Sequence, residues 1–354
     1  MSLQTKKVQF DNQPFYLGID VHKKSWHVTI RTHNLHLKTF AMEPSPQKLK
    51  KYVDKNYPGG IFHSVYEAGF SGYWADRELR NLGIKNIIVN PADVPTTHKE
   101  KDRKRDAIDS NKLSREHCNS SLRGIFVVDE QQESVRSIAR LYRQYTKRST
   151  QIKNRIKGLL NFTGHTILDD SVSKHWSAQY IRELKKMKMN TELNRLILDE
   201  HIDELEHART KQLFVLRKVR ALGKQIPIVN LLRTIPGVGL ITSFMLYAEL
   251  VDIKRFRTLD HLCSFIGLVP STSSSGSKER VHGISQRQNR YLRSLIIEAA
   301  WIASRVDPVL TQSFLDYTKR MKKQNAIIRI AKKLTNRIRY VWLHNKPYVP
   351  SVVA

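Results

Sequence analysis

The spacing of apolar residues changes near residue 129, and that change divides the chain before any single motif is weighed. Upstream, short apolar runs recur: FYLGID (15–20), WHVTI (26–30), LHLKTFAM (35–42), HSVYEAG (63–69) and KNIIVNP (85–91). Runs of that length, punctuated by turn residues, predict strands. A polar segment near 46–55 and YWADRELRNLG (73–83) predict helices, the second closed by Gly83. Downstream, Val135, Ile138, Tyr142, Tyr145, Ile152, Ile156 and Leu159 step by three and four, with Ser149 filling one heptad seat. A second such run holds Leu198, Ile202, Leu205, Leu216 and Val219, with polar Arg209 and Gln212 in its middle seats. A period near two cannot pack as a helix, nor a period near 3.6 as a strand. The chain must therefore change architecture along its length.

Three strands, a helix, a strand, a helix and a strand is the order expected of a ribonuclease-H-like fold. The two heptad runs predict long helices packed as an antiparallel pair, or against a second protomer. Residues 226–354 read as mostly helical, with LLRTIPGVGLITSFMLYAEL (231–250), a serine-rich loop, and then two basic amphipathic helices. The last of these carries the stripe Ile327, Ile330, Leu334, Ile338 and Val341. The expected class is α/β + α in three regions: an α/β domain over 1–128, a helical coiled-coil region over 129–225 and a helical domain over 226–354.

Charge narrows the function. Lysine and arginine number 61 against 32 acidic residues, a formal net charge of +29 over 354 residues. Self-repulsion of that size points to a polyanionic partner, nucleic acid, bound with steep salt dependence. No apolar run reaches the roughly 18 residues of a membrane helix, and the N-terminus lacks the apolar block of a signal peptide. Cys118 and Cys263 are the only cysteines, which argues against a disulfide framework or a zinc site. These features point to a reducing cytosol.

Four carboxylates stand out. Asp20 ends the first strand, Glu67 ends another in VYEAG, and Asp106 and Asp109 are three apart in KRDAIDSNKL, on one face of a helix. Hard oxygen ligands drawn from two strand ends and a following helix are what a two-metal phosphoryl-transfer site needs. Asp102, four residues before Asp106, is a rival for the third position. In TIPGVGLITSFML (234–246), helix, Pro-Gly-Val-Gly and helix match a helix-hairpin-helix, whose backbone N–H groups at Gly237 and Gly239 would face a phosphate. His22, His27 and His282 read as solvent- or nucleic-acid-facing, and the five tryptophans as core. No histidine or aspartate is placed to complete a Ser-His-Asp triad.

These motifs together resemble the DEDD transposases of bacterial insertion sequences, described as bridge-RNA-guided serine recombinases. The resemblance rests on GIDVHK (18–23), YEAG (66–69), the Asp-x-x-Asp pair with Leu113 four residues on, IPGVG (235–239), FIGLVPS (265–271), the Ser-Gly loop and NRYLR (289–293). It implies a resolvase-like (RuvC-type) domain whose Asp20, Glu67, Asp106 and Asp109 bind Mg2+ or Mn2+. It also implies a C-terminal transposase domain in which a serine before a glycine, here Ser275 before Gly276, attacks DNA. Ser273, Ser274 and Ser277 crowd the same stretch, STSSSGSKERVHG (271–283), and leave the register of the nucleophile open. The family usually has alanine after the second aspartate, where this chain has Ser110. Donor and target DNA, a structured guide noncoding RNA and a homo-oligomer (dimer or tetramer) are the implied partners. Lys278, Arg280, Arg290 and Arg293 are the cations expected on nucleic acid. The competing readings are a water-using, junction-resolvase-like nuclease, a site-specific invertase, and a non-catalytic nucleic-acid-binding protein.

Overall fold

All five upstream runs form strands, and they join in a single sheet. The computed structural model describes residues 9–97, 105–165, 176–275, 278–284 and 288–350, with backbone alone within 270–284. Asp102, Gly276 and Ser277 lie outside the described residues. Two compact units divide between Val128 and Asp129.

In the first unit the strands are β1 (Pro14–Val21), β2 (Trp26–Arg31), β3 (His36–Met42), β4 (Ile61–Glu67) and β5 (Lys85–Val89), in the order β3-β2-β1-β4-β5. β1 pairs antiparallel with β2 and β2 with β3, whereas β4 lies parallel to both β1 and β5. That order and those directions are consistent with a ribonuclease-H-like fold. Alternation sorts the side chains to two faces. Phe15, Leu17, Ile19, Trp26, Val28 and Ile30 form one core with Leu49 and Val53 of α1 (Pro46–Asn56) and Ala75 and Leu79 of α2 (Trp74–Asn81). Gly83 follows α2 at φ +81°, the left-handed turn expected of it.

The opposite face is covered by α3 (Asp106–Cys118). Gly18 is why the helix can lie so close. A Cβ there would stand 2.0 Å from the Ser110 carbonyl oxygen and 2.4 Å from the Ser114 amide nitrogen. Both are backbone atoms, so nothing can rotate aside. Ser110 is fully buried, and its hydroxyl lies 2.9 Å from that of Thr29, which lies 2.9 Å from Thr39. The buried serine hydroxyl is thereby satisfied. Gly18→Ala is expected to cost at least about 3 kcal/mol, the upper range of overpacking. Thermal denaturation of the variant checks this.

The far end of α3 buries a ring cluster. Tyr16 stacks on His63 at 5.5 Å and meets His117 edge-on at 5.7 Å. Burial, with a smaller contribution from His63, pushes the His117 imidazole down to about 4. Its Nε2 is buried with no hydrogen-bond partner among the described residues. A depressed histidine favours the neutral folded form above the unfolded value near 6.5 and loses that advantage as pH falls toward 4. Stability is therefore expected to drop by about 1–2 kcal/mol between pH 6.5 and 4, after allowance for a ring that water partly screens. Denaturant midpoints across that range should show the slope, and His117→Gln should flatten it.

The second unit is helical. Its long helices α4 (Glu130–Phe162) and α6 (Glu192–Gln225) run antiparallel, with the shorter α5 (Ala178–Lys186) between them in sequence. Ile152, Ile156 and Leu160 pack against Leu198, Ile202, Leu205 and Ala208. The polar heptad seats meet each other: Ser149 donates to Gln212 Oε1 at 3.3 Å, and Gln212 Nε2 donates to Thr146 at 3.0 Å. Two seats are corrected. Leu160 and Val215 are buried rather than Leu159 and Leu216: Leu160 faces α5 and α6, and Val215 faces α8 (Leu240–Leu250). There Val215 and Val219 join Ala139, Phe244, Met245 and Ala248 in one core.

After α7 (Pro227–Leu232), α8 and α9 (Leu259–Ile266), the serine-rich stretch departs from expectation. It forms a two-stranded antiparallel ribbon, β6 (Pro270–Ser275) and β7 (Lys278–Ile284), rather than a loop. Ser275 pairs with Lys278, so backbone pairing holds β6 to its last residue. Three helices follow rather than two: α10 (Arg290–Val306), α11 (Pro308–Thr318) and α12 (Lys323–His344). Pro308 at the first turn of α11 breaks what composition alone reads as one helix. The stripe Ile327, Ile330, Leu334, Ile338 and Val341 of α12 is buried against α9 and α10. Among the described residues, no helix is long and apolar enough to cross a membrane.

Candidate metal centre and serine-rich ribbon

The strand register places the first two carboxylates. Ile19 of β1 pairs with Tyr66 of β4, so the next residues, Asp20 and Glu67, leave adjacent parallel strands on the face that α3 covers. Gly18, two residues before Asp20, lets α3 approach, and the first turn of that helix carries Asp106 and Asp109. Asp20 and Asp106 come together with a third group. One ligand atom from each of Asp20, His22 and Asp106 lies within 4.8 Å of the others. His22 Nε2 is 3.0 Å from Asp20 Oδ2 and 3.6 Å from Asp106 Oδ1. His27, paired with Asp20 across the β1–β2 hairpin, brings Nδ1 to 3.4 Å from Asp106 Oδ2. Burial raises the Asp20 carboxyl above its ordinary range. His22 acts in the opposite sense, while the neighbouring Asp106 and Asp109 add to the rise.

Asp109 and Glu67 form the other side of the cluster. Between them lies Lys112, whose Nζ is 3.1 Å from Asp109 Oδ1 and 3.8 Å from Glu67 Oε1. Reading the sequence alone leaves out both His22 as a carboxylate partner and Lys112 altogether. A signal existed for Lys112, which lies one helical turn beyond Asp109, whereas His22 follows the end of β1 and carries none. Hard carboxylate oxygens beside an imidazole suit Mg2+ or Mn2+, and a partly buried Asp20 whose ionisation burial disfavours is the kind of group a dication relieves. The donor set fits a divalent ion.

In the hairpin, Gly237 and Gly239 have different surroundings. Gly237 adopts φ +85°, and a Cβ on it would stand 2.6 Å from the Ala299 carbonyl oxygen of α10. It is a close-packing glycine as well as a turn. Gly239 is exposed and caps the N-terminus of α8. Nothing lies within 4 Å of where its Cβ would stand, so this end of the helix is open to a ligand.

The ribbon is anchored at both feet. Gly267, at φ +87°, leaves room for Gln288, which accepts from Arg293 Nη1 at 2.6 Å. Asn289 caps α10 by accepting from the Leu292 N–H and donates to Glu249 Oε2 at 3.3 Å. Glu249, 5% exposed, also accepts from Arg140 Nε at 2.9 Å and Nη2 at 3.1 Å. One buried carboxylate thus ties the ribbon's exit to α4. Of the expected nucleic-acid cations, Arg290 is exposed at the start of α10 and Arg293 is engaged with Gln288. Lys278 and Arg280 lie on β7, where, as at Ser273, Ser274 and Ser275, only backbone is described.

Comparison with known proteins returns transposases. Residues 17–165 match a family of transposases of the DEDD IS110 type, and residues 229–315 match the transposase IS116/IS110/IS902 family. The transposase for insertion sequence element IS1111A of Coxiella burnetii is 28% identical over 246 residues, 67% of this chain. The chain spans 64% of that relative's length. The transposase for IS1533 of Leptospira borgpetersenii is 26% identical over 250 residues, covering 68% of this chain and 71% of the relative. That for IS1328 of Yersinia enterocolitica is 24% identical over 298 residues, covering 80% and 82%. Matched by one transposase model over residues 17–165 and by a second over 229–315, the chain is similar in both units to the IS110-type DEDD transposases of bacterial insertion sequences.

Proposed function

We propose that the chain cuts and rejoins DNA as the recombinase of an insertion sequence. Ser275 is the nucleophile, Asp20, Glu67, Asp106 and Asp109 form the metal-binding set, and a structured noncoding RNA selects donor and target. The observation that carries the reading is the convergence of Asp20, His22 and Asp106 at one end of the sheet in a chain of net charge +29. A bound Mg2+ or Mn2+ would polarise the phosphoryl oxygens and ease loss of the serine proton. The chain's own groups do the rest. Ser275 Oγ displaces one DNA oxygen from phosphorus and holds the strand as a phosphoserine, which keeps the bond energy for rejoining. Gly239 and the cations Lys278, Arg280, Arg290 and Arg293 bind phosphates and set the strand's position without reading sequence.

The long antiparallel helices suit a coiled-coil role in assembling a dimer or tetramer, and the 129–225 region would act as that module beside the RuvC-like domain and the C-terminal transposase domain. The Pro-Gly-Val-Gly turn between α7 and α8 suits a helix-hairpin-helix. A DNA-acting protein of this kind works in the cytoplasm at the nucleoid.

A second reading, a metal-dependent nuclease using water, draws support from the placement of all four carboxylates in the first unit and Ser275 in the second. Incubation of the full chain with donor DNA and Mg2+, followed by denaturing electrophoresis, separates the two. Recombination predicts a detergent-stable protein–DNA adduct, whereas a water nuclease yields cut DNA and no adduct. Sequencing of co-purified RNA tests the guide: a discrete structured species encoded beside the gene supports it, and random cellular RNA counts against it.

A further inference from the structure

We propose that Lys112 occupies the second cation position of the carboxylate cluster. The chain alone then holds a single divalent ion, at the Asp20–His22–Asp106 corner, and accepts a second only when the ammonium is drawn away. The inference rests on the metal-centre reading above and deepens it by assigning the two halves of the cluster different occupants.

The two halves differ in what faces them. At the Asp20–Asp106 corner, the partners among the described residues are the imidazoles of His22 and His27. An imidazole nitrogen can itself ligate a metal, which an ammonium cannot, so this corner is open to a dication. At the Glu67–Asp109 corner, an ammonium already sits between the two carboxylates, 3.1 Å from one and 3.8 Å from the other. Lys112 is only 7% exposed, although lysine is among the residues least often buried. A buried ammonium that left those oxygens without a replacement anion would pay for its own desolvation. It is therefore held in place until another anion arrives.

Two-metal sites put their ions about 4 Å apart and bridge them through shared carboxylates. A dication entering the Glu67–Asp109 corner would stand at contact distance from this ammonium, with twice the repulsion of two unit charges. Both cannot occupy the corner. A DNA phosphate brought to the cluster supplies the missing anion: it can draw the ammonium away from Glu67 and Asp109 and let the second ion bind with the substrate. Lys112 thus makes completion of the two-ion site conditional on DNA.

Counting Mn2+ on the full chain without DNA tests this, by calorimetric titration and by the electron paramagnetic resonance signal of free ion. The wild type is expected to bind one Mn2+ per chain, Lys112→Met two, and the charge-preserving Lys112→Arg one. Lys112→Gln serves if the methionine variant does not fold, and the wild-type count decides by itself if neither does. Two ions on the wild type, or one on a folded Lys112→Met, overturns the inference and leaves the metal centre standing. No Mn2+ on either protein at millimolar concentration overturns the metal-centre reading and this inference with it.

Discussion

Ser275→Ala is expected to lower DNA strand cleavage by at least about a thousandfold and to remove the covalent protein–DNA adduct entirely. Loss of an attacking oxygen leaves only binding and electrostatic contributions, and removing a nucleophile from a working site commonly costs that much or more. The variant should fold normally. Ser275 pairs through its backbone with Lys278, and alanine keeps those bonds. It should also keep its Mn2+ affinity, because the carboxylates belong to the other unit. Ser273→Ala and Ser274→Ala are the matched controls and should retain the adduct. An adduct that persists in Ser275→Ala but disappears in one of the controls moves the nucleophile along the ribbon. Cleavage without an adduct in the wild type replaces the serine by water.

Asp20→Ala should abolish cleavage, again by about a thousandfold or more, and with it the effect of divalent ions on stability. In the wild type, burial makes ionised Asp20 unfavourable, and Asp106 and Asp109 add repulsion. For a carboxyl raised above its unfolded value, the folded state bears a cost above the folded pKa that fades as pH falls. A dication removes that cost, so saturating Mn2+ should raise the melting temperature. At a hundred times the dissociation constant the stabilisation is about 2.7 kcal/mol, several degrees for a unit of this size. Protons compete for the same oxygens, so the shift should shrink below about pH 5. In Asp20→Ala the metal-induced shift should vanish at every pH, while melting in the absence of metal should be unchanged or higher. Full activity in this variant would remove the recombinase and the nuclease readings together.

Much of the first unit was legible in the order of its apolar runs. Strand length, a helix closed by Gly83 and the alternation of Leu17 and Ile19 with Gly18 and Asp20 are local patterns, and local patterns survive without a partner. The carboxylates were legible for the same reason, as strand ends and a helical i, i+3 pair. Their neighbours were not. His22 looked solvated because a lone histidine after a strand says nothing about what folds over it. Lys112 looked like one of 61 basic side chains, although it is buried between Asp109 and Glu67. In the second unit the heptads showed two helices, yet the choice of Val215 over Leu216 depended on α8, which lies farther along the chain.

The serine stretch marks the same boundary. Its composition reads as a linker, because serine and glycine bury little and order poorly. Pairing with KERVHGI turns it into a ribbon, and the feet of that ribbon are set by Gly267 against Gln288 and by Glu249 on Asn289. By itself the sequence determined which residues carry chemistry, since residue type and near-neighbour spacing are written along the chain. Only the tertiary structure decided which of them meet. Asp20 reaches Asp106 because an absent Cβ at Gly18 lets a helix from much later in the chain lie on the strand. That contact depends on excluded volume between distant segments, a quantity no local pattern contains.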